Sequence, residues 1–198
     1  MYDVDTTGSV PPFQHHDVVE PQHRFQPVKF YDETWDLRHL DAFAMRLDPD
    51  LGFEIDVVVL FTCHCFAHSM TWDERVPAEI PMEEIFDNGM ERRVLDKERY
   101  ELSRKFMPQL VKELGQRHIR FAGIDATNFF IAEDLGPESG PYAVFFEVKR
   151  DRRRNKRLLL YVQSAYRLDR LKRRLANAGK IRFRKLLRST YLGKLVHQ

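Results

Sequence analysis

The spacing of apolar residues shifts along the chain between a helical and an alternating period, and each stretch predicts an element. Over residues 32–47, Leu37, Leu40, Ala44 and Leu47 recur at three- and four-residue intervals, with Phe43 alongside. This predicts a helix that stops at Asp48-Pro49, because the residue before a proline avoids the α region. Residues 54–66 (EIDVVVLFTCHCF) are β-branched and apolar without alternation, the pattern of a central strand covered on both faces. A loop containing Pro77 and Pro81 follows, then a short helix over 83–86. Asp96 can cap a helix whose apolar positions are Tyr100, Phe106, Leu110, Val111 and Leu114. Pro108 predicts a kink or division in that helix, and Gly115 lies where its end is expected.

Two short strands are expected over 118–122 and 128–133, before a turn at Gly136-Pro137 and Gly140-Pro141. The stretch YAVFFEVKRD-RRRNK-RLLLYVQSAYRLD then alternates on both sides of a run of cations, which predicts a β-hairpin with a basic tip. Val144, Phe146 and Val148 share one face, and Phe145, Glu147 and Lys149 the other. Residues 168–196 read as two helical pieces separated by Gly179, with apolar stripes at Leu171, Leu175 and Ala178 and at Phe183, Leu186, Leu187 and Tyr191. Together these elements predict an α+β fold: a central antiparallel or mixed sheet of four to five strands packed on a long helix, with a basic helical C-terminal tail. Residues 1–29, polar and rich in proline and histidine, read as a flexible arm. Residues 30–167 read as the core domain, and 168–198 as a tail packed on it.

Composition narrows the class. The chain has 198 residues, of which 43% are hydrophobic, enough for one or two domains with a sizeable core. No apolar run approaches the ~18 residues of a membrane span, and the N-terminus carries Asp3 and Asp5 instead of a basic leader. Cys63 and Cys65 are too few and too close for a disulfide framework. A cytoplasmic protein with no membrane partner is expected. The net charge of +2 hides an asymmetry. From Lys149 onward there are eighteen Lys/Arg and two Asp/Glu, so that segment carries 18 − 2 = +16, leaving 14 − 28 = −14 for the remainder. So many cations in one segment cannot all find internal partners, which points to an anion-facing surface. Arg150, Arg152, Arg153, Arg154, Lys156 and Arg157 supply it at the hairpin tip; Arg170, Arg173, Arg174, Arg182, Arg184 and Lys185 supply it in the tail. The expectation is that tip and tail form a common face that binds nucleic acid.

Three constellations could carry chemistry. Glu147-Val148-Lys149 on a strand, with Asp125 or Asp134 as a further acid, is how a Mg²⁺-dependent PD-(D/E)xK-like nuclease places its ligands and lysine. Cys63, Cys65 and His68 are soft ligands suited to zinc. On a strand, however, the two cysteines share one face and His64 the other, and small buried thiols explain them without metal. His64 is also a candidate base, since imidazole titrates near neutrality.

Around Gln163-Ser164-Ala165-Tyr166-Arg167 the hairpin resembles the barnase–EndoU–colicin–RelE group of ribonucleases and toxins. The likeness spans residues 142–169. It implies a metal-independent endoribonuclease of toxin type, with no cofactor, RNA favoured over DNA, and an inhibitor protein as a further partner. By that resemblance Ser164, Tyr166 and Arg167 would form the site, with Lys149 nearby and His64 or His118 available as base. A Mg²⁺ nuclease and a non-catalytic nucleic-acid-binding module stand beside it as alternatives.

Overall fold

The computed structural model describes residues 24–122, 128–136, 140–171 and 173–194. Most of the expected arm lies outside the described residues. Within them, Phe25 already packs edge-on against the buried Phe66, with centroids 5.2 Å apart.

The elements in chain order are β1 (Val28–Phe30), β2 (Glu33–Trp35), β3 (Phe43–Leu47), β4 (Ile55–Phe61), β5 (Ala67–Ser69), β6 (Ile85–Asp87) and β7 (Arg92–Leu95). Helix α1 (Lys97–Lys112) follows, then β8 (His118–Phe121), β9 (Asn128–Asp134), β10 (Pro141–Arg150) and β11 (Arg157–Arg167). The chain closes with α2 (Arg173–Ala176), β12 (Lys180–Arg182) and α3 (Phe183–Tyr191). A seven-stranded sheet runs in the order β12-β8-β9-β10-β11-β4-β3, flanked by a three-stranded sheet β5-β7-β6 and a β1-β2 pair. The large sheet is mixed: β11 and β4 are parallel and its other pairs antiparallel.

This overturns the expected four to five strands on one long helix. Among the described residues the sheet has seven strands, and only α1 and α3 exceed a single turn. Two stretches account for the difference. Residues 32–47 form β2, a 3-10 turn at Arg38–Leu40 and β3 instead of a helix. Leu37 and Leu40 are buried from the turn, while Met45 and Leu47 face the main core and Ala44 a second small cluster. A strand buried on both faces loses its alternation and can imitate helical spacing. In the tail, Lys180–Arg182 alternates with Ile181 buried between exposed cations and pairs with β8 as an edge strand.

The core lies between the large sheet and its two helices. Val57, Val59, Leu160, Val162, Val144 and Phe146 meet Tyr100, Met107 and Leu110 of α1 and Phe183, Leu186 and Leu187 of α3. Phe146 and Phe183 sit 6.2 Å apart at its centre; burying side chains of this size contributes about 1.5–3 kcal/mol each. Asp96 caps α1 by accepting the Arg99 amide at 3.0 Å. Pro108 neither breaks nor divides the helix, because it stands on the exposed face, where water can take the freed carbonyl. Gly140 adopts φ +66°, and a Cβ there would stand 2.0 Å from the Leu168 carbonyl oxygen, so this crossing accepts only glycine. No helix among the described residues is long and apolar enough to cross a membrane.

Candidate functional site

The β10–β11 hairpin delivers its cations to one end of the sheet. Asp151 organises the tip: its carboxylate accepts the Arg153 amide at 2.8 Å and pairs with the Arg157 guanidinium, whose side chain is nearly buried. Burial alone would raise the Asp151 pKa, but those two bonds outweigh it and hold it below the ordinary carboxylate value. Lys156 closes the turn at φ +56°. With Arg157 consumed internally, Arg150, Arg152, Arg153, Arg154 and Lys156 all stand exposed, and none forms a salt bridge among the described residues.

Two aromatic rings sit beneath this group. The Lys156 ammonium lies 4.9 Å from the Phe53 ring centroid, and the Arg150 guanidinium 5.7 Å from that of Tyr191. Phe53 and Tyr191 meet edge-on at 5.6 Å. The C-terminal end of α3, carrying exposed Arg188, is thereby drawn to the hairpin tip. Phe53 sits next to Gly52, in the loop between β3 and β4, with no periodic signal to mark it.

Two of the other tail cations, Arg184 and Arg170, do not stand with this group. Arg184 is spent on structure, donating to the carbonyl oxygens of Asp48 at 3.1 Å and Gly115 at 3.3 Å. Lys185 and Arg182 are exposed, the latter on the edge strand β12, and Arg173 is exposed on α2. Arg170 is exposed just past the far end of β11, more than 30 Å from the tip at ~3.3 Å per residue. Asp125 and the side chain of Arg174 lie outside the described residues.

The ribonuclease-like residues are only partly brought together. Ser164 lies opposite Phe145, where β11 bulges so that Phe145 pairs with Ser164 and Phe146 with Val162. Tyr166 stacks on Phe145 at 5.5 Å, and Phe145 on Phe130 at 5.7 Å, an aromatic row across the sheet. The Arg99 guanidinium covers Tyr166 at 4.7 Å. Lys149 is opposite Leu159, five residues and about 16 Å along the strand from Ser164. It pairs with Glu147 at 2.7 Å, and that carboxylate is therefore engaged. Arg167 turns to Glu98 of α1 at 2.7 Å. His118 pairs with Arg182 across the β8–β12 edge, away from Ser164.

His64 lies in a different setting from the strand expected for it. Residues Cys63–Cys65 form a 3-10 turn after β4. Thr62 fixes that turn by donating its hydroxyl to the Gln163 carbonyl oxygen at 2.8 Å. Tight turning lets neighbouring side chains converge, and the Cys63 thiol, the His64 imidazole and the Glu91 carboxylate lie within 4.8 Å of one another. Cys63 Sγ donates to Glu91 Oε1 at 3.0 Å, His64 Nε2 is 3.3 Å from Oε2, and Arg93 Nε donates to Oε2 at 2.6 Å. Burial opposes ionisation of Glu91, yet the bonds from Cys63, Arg93 and His64 hold its pKa at about 2. Burial, then the Glu91 bond, push the Cys63 thiol well above its usual range. Burial and the neighbouring Arg93 charge lower His64. Cys65 is fully buried, raised to about 12 by burial, and His68 faces Asp73 at 3.7 Å, so neither joins the group. Glu91 escaped the sequence reading, although Asp87-Asn88-Gly89 is a recognisable hairpin turn. Gly89 adopts φ +79°, and Asn88 Oδ1 accepts the Glu91 amide at 2.9 Å.

No curated protein and no solved structure matches the chain. A family model described as the YjaZ family matches residues 27–191, and the chain belongs to that family.

Proposed function

We propose that this member of the YjaZ family is a nucleic-acid-binding protein whose contact surface is the cationic end formed by the hairpin tip and the C-terminal end of α3. The observation that carries the reading is the division of labour around Asp151: one arginine is consumed to order the tip, and five further cations are exposed without carboxylate partners among the described residues. Arginine predominates there, and its planar fork suits phosphate. Single-stranded RNA is favoured over duplex DNA, because exposed arginine planes can stack on the splayed bases of single strands. The reading is of binding without cleavage, since Lys149 is paired and held far from Ser164. Two free buried cysteines fit a reducing, cytoplasmic setting.

Fluorescence anisotropy on labelled single-stranded RNA and duplex DNA of equal length, titrated over salt, tests it. Binding should weaken linearly in log[salt], and Arg152→Ala/Arg153→Ala/Arg154→Ala should flatten the slope on RNA by about 2, at ~0.7 per phosphate contact. No binding to either polymer in dilute buffer, or a slope unchanged in the triple variant, would overturn the proposal.

A further inference from the structure

We infer that Cys63, His64 and Glu91 form a binding site for a divalent transition-metal ion of zinc type, at the opposite end of β11 from the cationic tip. The donors are a thiol, an imidazole and a carboxylate, the set that zinc accepts in protein sites. One donor atom from each already lies within 4.8 Å of the other two. An ion bound at ~2.3 Å to sulfur and ~2.0 Å to nitrogen or oxygen sets S···O near 3.5 Å and N···O near 3.3 Å. Sulfur stands 3.0 Å from Glu91 Oε1, so that pair need move apart by only about half an ångström, and the imidazole nitrogen, 3.3 Å from Oε2, has to turn from that oxygen to the ion.

Both sides of the site are fixed before any ion arrives. The Cys63–His64 turn is tied to β11 through Thr62, and a second tie comes from α1, where the buried Arg99 donates to the His64 and Ala67 carbonyl oxygens at 3.1 and 3.2 Å. Glu91 is held by its Asn88 turn and by Arg93, which occupies Oε2 and leaves Oε1 to the ion. Outer partners of this sort orient ligands in metal sites. Binding breaks the Cys63 S–H bond, forms a metal–sulfur bond and releases the proton to water. Cys63 is buried, whereas the His64 and Glu91 side chains are 31% and 37% exposed. The ion therefore has an entry path, and its fourth position faces solvent. This inference does not depend on the nucleic-acid reading.

Cobalt(II) added to the reduced, metal-free full-length protein tests it. One equivalent should produce a thiolate-to-cobalt charge-transfer band that Cys63→Ser abolishes and Cys65→Ser retains. Glu91→Gln, a half-exposed position whose change should leave the circular dichroism intact, should weaken zinc binding by about tenfold or more in competition with a chromophoric chelator. A wild-type protein without the band, a band that survives Cys63→Ser, or zinc affinity unchanged in Glu91→Gln would each overturn the assignment. Binding by histidines elsewhere gives no sulfur band and counts against it.

Discussion

Strand β11 begins and ends among arginines, and the two groups are handled in opposite ways. At its start, Arg152, Arg153 and Arg154 are exposed, with no carboxylate partner among the described residues. At its end, Arg99 is 8% exposed and fully employed: two carbonyl oxygens, Asp96 at 3.3 Å, and the face of Tyr166. The first group contributes little to holding the fold, while the second is a junction where α1, the Cys63–Cys65 turn and β11 meet. Charge in the sequence does not tell these roles apart. What separates them is whether folding places oxygen atoms around the guanidinium, because a buried charge persists only when its hydrogen bonds are made.

The sharpest way to break the comparison is Arg99→Ala. It leaves the His64 and Ala67 carbonyl oxygens without their donor and should cost about 3–4 kcal/mol in denaturant unfolding. A loss below about 1 kcal/mol would show that the junction is not structural.

The same helix turn offers a pH test. His39 Nε2 is 2.8 Å from the buried Ser103 hydroxyl, which itself donates to the Tyr100 carbonyl oxygen. Burial lowers the His39 pKa from 6.5 to about 4, with Asp36 opposing and Arg104 adding to the effect. Because the folded value lies below the unfolded one, the unfolded chain takes up the proton first as pH falls. Stability is therefore full above about 6.5 and is lost progressively down to about 4, by up to about 3 kcal/mol at 1.36 per unit. Thermal melts across that range should show the decline, and His39→Gln should flatten it.

The smallest expected effect lies at the other end. Arg152→Ala/Arg153→Ala/Arg154→Ala should change unfolding stability by no more than about 0.5 kcal/mol, the same variant that flattens the salt dependence of binding. A larger loss would mean that the tip, too, is structural.

Where one signal dominated, the sequence was enough. The β10–β11 hairpin and its basic tip follow from strict alternation around a run of cations, and the start of α1 from Asp96. β3 was misread because both its faces are covered, and β12 because three residues of an edge strand give too short a period to register. Of the Cys63–His64–Glu91 group only the first two were legible, and their strand assignment set them on opposite faces. A tight turn and a carboxylate 27 residues further on brought the group together.

Read alone, the amino-acid order determined how many cations the last fifty residues carry, where the long hairpin runs and which helix Asp96 begins, since each depends on neighbours within a few residues. Only the folded chain decided which arginines remain in water, that Arg157 is spent on Asp151, and that a thiol, an imidazole and a carboxylate meet. Those outcomes depend on desolvation and on contacts between segments far apart in the chain, which local spacing does not encode.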